Sequence, residues 1–147
     1  MNSNETYNKF INETLSVDEM KKYVDILSED ESLDNEKFVQ VGDKGNWYYE
    51  ALILTKRGYP KIADIIPKLF IWLQDMNWPG AEEIWKMLST LPRDVLIENF
   101  EQAIGKAVEE NDYGWMYWLY DFAKENNIKA TDLKNKTLYS TIKEKRL

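Results

Sequence analysis

Apolar residues recur at helical spacing along almost the whole chain, and sustained period-2 alternation is hard to find, so the sequence reads as all-α. Tyr7, Phe10, Ile11 and Leu15 form a first stripe. Ser16-Val17-Asp18-Glu19 is a capping box that opens a second helix, with Val17, Met20, Tyr23, Val24 and Leu27 expected to face inward. Residues 1–34 are thus expected to form an N-terminal helical hairpin. Five acids crowd the stretch from Ser28 to Glu36, which reads as a solvated loop and the best subdomain boundary. Gly42-Asp43-Lys44-Gly45 carries turn chemistry, a helix is expected from about Asn46 to Arg57, and Gly58 sits where a C-cap glycine belongs.

Beyond Gly58 the helix-start signals fall near positions 60, 79, 93, 112 and 131. Pro60 is read as starting a helix with Ile62, Ile65, Ile66, Leu69, Phe70 and Leu73 on one face, in which Pro67 makes a kink or marks the true start. Pro79 opens another, with Ala81, Ile84, Trp85 and Leu88. Pro92 precedes a third, with Leu96, Phe100, Ala103, Ile104, Ala107 and Val108. Asn111-Asp112 caps a fourth, and Thr131 or Asp132 a last one containing Leu138, Tyr139 and Ile142. Helices this short cannot bury their apolar faces alone, so antiparallel pairs must stack, as a short solenoid or an irregular bundle over 44–147. With 44% hydrophobic and 14% aromatic residues in 147, the whole chain has material for a single domain around one core.

Composition also bounds the chemistry. There is no cysteine and no histidine, which removes disulfides, thiolate metal sites, the usual zinc ligands and the usual general base. No enzyme activity, metal or cofactor is expected. The carboxylate pairs Glu82-Glu83, Glu98 with Glu101, and Glu109-Glu110 with Asp112 have a glycosidase-like alternative, but they read as solvated or dipole-complementing acids. The formal charge of −7 argues against nucleic acid. From Lys129 to Leu147 six basic residues stand against two acidic, which leaves about −11 on the rest. Such a body either attracts a basic protein partner or only keeps the chain soluble. No apolar run reaches the roughly 18 residues of a membrane span, and Met1-Asn2-Ser3-Asn4-Glu5 lacks a signal-peptide pattern, so a cytoplasmic protein is expected.

Two segments carry the candidate site residues. Trp72-Leu73-Gln74-Asp75-Met76-Asn77-Trp78-Pro79 reads as a tight corner, with Trp72 and Leu73 ending one helix and Pro79 pre-setting the next. Either Trp72 and Trp78 clamp that corner while Asp75 and Asn77 bond free backbone groups at the two helix ends, or Asp75, Asn77 and the tryptophan edges form a ligand site. The helix after Asp112 carries Trp115, Trp118, Leu119 and Phe122 on one side and Tyr113, Tyr117 and Tyr120 on another. One stripe must pack inward. The other is either covered by the last helix or, beside Asp112, Asp121 and Glu125, is an aromatic, acidic patch for a partner. Trp47, Tyr48 and Tyr49 beside Glu50 raise the same question earlier in the chain.

The run from Trp72 to Pro79, with the preceding Ile66-Pro67-Lys68-Leu69 and the later Trp115-Met116-Tyr117-Trp118-Leu119, resembles a family of small bacterial domains of unknown function, frequent in Firmicutes. The resemblance spans about Leu52 to Phe122, and the N-terminal third does not share it. It implies a HEAT-like fold and an immunity protein that binds and neutralises a bacterial toxin, here a basic toxin domain. A non-enzymatic adaptor or regulatory scaffold that binds a peptide or helix is the alternative.

Overall fold

The computed structural model describes residues 1–146; Leu147, the end of the basic segment, lies outside the described residues. The described residues are all-helical: eight α-helices with short 3-10 turns between them, and no strand. The helices are α1 (Ser3–Asn12), α2 (Val17–Glu29), α3 (Trp47–Arg57), α4 (Ile66–Leu69), α5 (Ala81–Leu88), α6 (Arg93–Glu109), α7 (Tyr113–Glu125) and α8 (Lys136–Arg146).

Local chemistry sets most of these boundaries. Ser16 Oγ accepts from Glu19 N–H at 3.1 Å and Glu19 Oε1 from Ser16 N–H at 3.2 Å, which closes the capping box of α2. Asp112 Oδ1 accepts from Trp115 N–H at 3.0 Å and starts α7. Gly58 ends α3 at φ 65°, a conformation that costs a Cβ-bearing residue energy. Pro67 lies in the first turn of α4 and so marks that helix's true start.

Three expectations need correction. Pro60 does not start a helix; it follows a cis peptide bond in a turn, and α4 begins only at Ile66. The apolar set from Ile62 to Leu73 is nevertheless fully buried, because consecutive 3-10 and α turns keep it on one side. Neither Thr131 nor Asp132 caps the last helix. Those residues form a separate 3-10 turn, Ala130–Asp132, and Asn135 Oδ1 accepts from Thr137 N–H at 3.1 Å at the start of α8. Val17 stays 58% exposed, since the first helical position projects past the end of the packed face.

The core is continuous from the N-terminal third to α8. Phe10 of α1 and Tyr7 pack edge-on against Phe38. α3 lies against both α2 and α5, and α6, α7 and α8 touch one another pairwise. At the far end Phe70, Phe100 and Phe122 form an aromatic cluster, with Phe70 5.5 Å edge-on from Phe122 and Phe100 stacked on it at 6.0 Å. Trp115 Nε1–H donates to Phe70 O at 3.0 Å inside it.

The acids between residues 28 and 36 do reach solvent, but the backbone beneath them is held fast. Leu33 and Asn35 are buried, and Arg57 at the end of α3 donates to Leu27 O, Asp30 O, Leu33 O and Asn35 Oδ1 at 2.8–3.0 Å. One guanidinium therefore occupies the carbonyls at the C-terminal end of α2, where a cation is favoured. Arg57→Ala strands four acceptors, and we expect it to cost about 2 kcal/mol in urea denaturation. Arg57→Lys, with three donors and no planar fork, should recover only part of that loss.

Candidate functional site

The corner is built by hydrogen bonds that use up most of its polar groups. Trp72 is buried and its Nε1–H donates to Pro79 O at 3.0 Å. Asp75 Oδ1 accepts from Asn77 N–H at 2.8 Å, and Asp75 O from Trp78 N–H at 3.0 Å. Trp78 sets its ring edge-on to Trp47 of α3, 5.3 Å between centroids. Asn77 is exposed. Pro79 does not open the next helix as expected. Gly80 intervenes at φ 89° as its N-cap, and α5 begins at Ala81, because the Pro79 carbonyl is turned toward the Trp72 indole. Trp72 therefore closes the corner on itself, and Trp78 fastens it to α3.

The tyrosines of α7 divide. Tyr120 lies edge-on to Tyr139 of α8 at 5.9 Å, and Lys124 Nζ stands 5.8 Å from its ring. Tyr113 remains 54% exposed, with Lys145 Nζ 4.8 Å from its ring centre. Tyr117 is half-buried and edge-on to Trp118 at 5.0 Å. Asp112 serves as the α7 cap, and Asp121 is half-buried. Glu125 reaches away to α5, where Oε2 accepts from Trp85 Nε1–H. The structure thus turns Tyr113 and Tyr120 toward α8 residues and Glu125 toward α5. On the earlier helix Tyr48 is exposed and Tyr49 half-buried.

Two concavities carry unspent chemistry. The larger, about 680 Å³, runs between α6 and the segment leading into α8; Ile97 and Leu138 give it an apolar floor, and Asp94, Glu98, Glu101 and Asp132 wall it against the single Lys134. Glu101 is half-buried: its Oε1 and Oε2 accept from Lys134 N–H and Asn135 N–H at 2.8 and 2.9 Å. A carboxylate of α6 thereby satisfies backbone amides at the entry of α8, instead of being one of a pair of solvated acids. Nothing near Glu101 in sequence marks this role, since its partners lie 33 and 34 positions on. The smaller cavity, about 300 Å³, is lined by Met76, Glu82, Trp85, Lys86, Trp118 and Glu125. Its one advance signal was the surplus of aromatic residues on α7.

A third feature is electrostatic. Glu50 on α3 has no solvent exposure, and its carboxylate accepts from Val41 N–H at 2.8 Å and Gly42 N–H at 3.2 Å. Burial pushes its pKa up to about 7 against the downward pull of those two amides. Close by, Trp47 Nε1–H donates to Gly42 O at 2.9 Å and Asn46 Nδ2–H to Phe10 O at 3.1 Å. Glu50 thus ties the 41–42 segment to α3. Among the described residues no group of three or more acids is placed to hold a metal ion, and no helix is long and apolar enough to cross a membrane.

A family model for DUF5071, a domain of unknown function, matches residues 43–145. The match takes in α3 to α8 and leaves α1 and α2 outside. No curated protein and no solved structure matches the chain.

Proposed function

This chain belongs to the DUF5071 family, and we propose that it is a non-enzymatic protein-binding domain that takes a basic partner on its acidic surface. The observation that carries the reading is the groove between α6 and α8. It is the more spacious of the two concavities, its floor is apolar, and four carboxylates line it beside one lysine, Asp132 among them pairing with Arg93 at 3.4 Å. Apolar floors with charged rims suit protein recognition, in which burial supplies affinity and the rim supplies steering and selection. The charge of about −11 outside the C-terminal segment would draw a cationic partner from a distance.

The partner we propose is a basic toxin domain, which this protein would neutralise by covering it inside a bacterial cytoplasm. That step rests on the resemblance of the Trp72–Pro79 segment to small bacterial domains. The helices would stack as a short HEAT-like array, a reading supported by the packing of α1 on α2, α2 on α3, α6 on α7 and α7 on α8.

Co-expression with the product of the adjacent gene tests this. The expected result is rescue of growth and co-purification of a basic protein. The variant Asp94→Asn with Glu98→Lys removes two of the four rim carboxylates and adds one cation, without placing that cation in the first turn of α6. We expect it to weaken the complex about 10- to 100-fold at low salt, mainly through slower association measured by surface plasmon resonance. Failure to rescue from any neighbouring toxin removes the immunity reading, and capture of a non-toxic partner instead would favour an adaptor.

A further inference from the structure

The cavity between α5 and α7 has a composition that selects one kind of occupant. Trp85 and Trp118 are both half-buried and both line it, with the Met76 thioether beside them. Trp85 is fixed twice. Its ring stands edge-on to the buried Phe122 at 5.1 Å, and its Nε1–H is held by Glu125 Oε2. Trp118 is braced at 5.0 Å by the edge of Tyr117. These rings are therefore positioned before anything binds, which spares an occupant the cost of ordering them.

The charges of the cavity do not cancel. Glu82 and Lys86 pair with each other at 3.2 Å, which leaves the Glu125 carboxylate as its unbalanced charge. Among the described residues no cation lies within ion-pair reach of Glu125, whose Oε2 receives only the neutral indole N–H. Indole rings beside an uncompensated carboxylate attract cations and repel anions. A volume of about 300 Å³ is that of a single long side chain with some surrounding water, too small for a folded element. Of the two cationic side chains, a guanidinium fits better: its plane can lie over an indole while one edge donates to the open Glu125 Oε1.

We propose that this cavity is a receptor for one arginine side chain presented by a protein partner. That a protein supplies the arginine rests on the binding function proposed above; the preference for a guanidinium does not. The test uses the whole chain labelled with nitrogen-15 and follows its indole N–H signals during titration with Nα-acetyl-arginine-N-methylamide. The neutral, near-isosteric citrulline analogue and the lysine analogue serve as comparisons. The expected result is a saturable shift of the Trp85 and Trp118 signals with a Kd in the millimolar range, little response to citrulline and a weaker one to lysine. Glu125→Gln, which keeps an oxygen for the Trp85 N–H, should raise Kd about tenfold while leaving the free spectrum folded. Trp118→Ala should abolish saturation.

Equal responses to arginine and citrulline, or an unchanged Kd in Glu125→Gln, would overturn the proposal. A stronger response to the lysine analogue would overturn the choice of guanidinium. Arginine-specific shifts without any rescue from toxins sustain the cavity and count against the immunity role. A captured basic partner that is indifferent to Glu125→Gln does the reverse.

Discussion

A Gly80→Ala variant loses about 4 kcal/mol of stability, a large share of the roughly 5–15 kcal/mol that separates a typical domain from its unfolded state. Two separate costs combine. Gly80 holds φ 89°, where an L-residue pays about 1–3 kcal/mol for its Cβ. The added carbon would also stand 2.7 Å from Ala51 Cβ, 2.9 Å from Trp47 O and 3.1 Å from Trp72 Nε1. The first two belong to α3, one of them to its backbone, so α3 or the corner must retreat, at a further cost of about 1–3 kcal/mol. Retreat would also stretch the Trp72 to Pro79 hydrogen bond, which fixes the same corner. Gly45→Ala is the matched control: nothing lies within 4 Å of a Cβ there and its φ is not positive, so the change should stay within about 0.5 kcal/mol. Urea unfolding of both variants measures the difference, and a Gly80→Ala loss below about 1 kcal/mol would show that the corner yields easily.

The second large effect is a dependence of stability on pH. Glu50 titrates near 7 in the folded chain and at about 4.3 when unfolded. Between those values the folded state binds more protons, so its stability falls as pH rises and levels off above the folded pKa. With each unit worth about 1.4 kcal/mol, this one carboxyl contributes a decline of about 3 kcal/mol from pH 4.5 to 8. Glu50→Gln should flatten that decline, because the variant has nothing to deprotonate. Its stability at pH 4.5 should resemble that of the parent with Glu50 protonated, less about 1 kcal/mol for the amide group now facing the Gly42 N–H. Chemical denaturation at half-unit intervals of pH would reveal the slope, and identical slopes in parent and variant would place the titration elsewhere.

Much of the helical layout was legible because it is written in short-range chemistry. Ser16 with Glu19, Asp112 with Trp115, Gly58 and the periodic residues of α6 all act within one turn of themselves, so their spacing alone announces them. The errors fall where a partner lies far along the chain. Thr131 and Asp132 looked like a cap, but Asn135 caps α8, aided by Glu101 from another helix. Pro79 looked like a helix start, but the buried Trp72 claims its carbonyl and pushes the start past Gly80. The acids from Glu29 to Glu36 looked like a loose boundary, and no local pattern foretold that Arg57 would reach back to the carbonyls beneath them. The candidate surface shows the same limit. The surplus aromatic character of α7 was visible, yet its division between α8 and the Trp85 cavity depends on which neighbour each face meets. Periodicity shows that a face is apolar; it does not name the neighbour.

The placement of the tryptophans has a spectroscopic consequence. All six lie at position 47 or later, and Trp72 and Trp115 are fully enclosed while Trp78 and Trp85 are half-buried. Indole emission is thus seated in the family-matched portion and has no source in α1 or α2, where Tyr7 and Tyr23 are the only aromatic absorbers besides Phe10. Selective excitation at the red edge of the indole band would watch one end of a continuous core. Comparison with far-ultraviolet ellipticity, to which every helix contributes, separates loss of the first two helices from loss of the rest, without a label or an added residue.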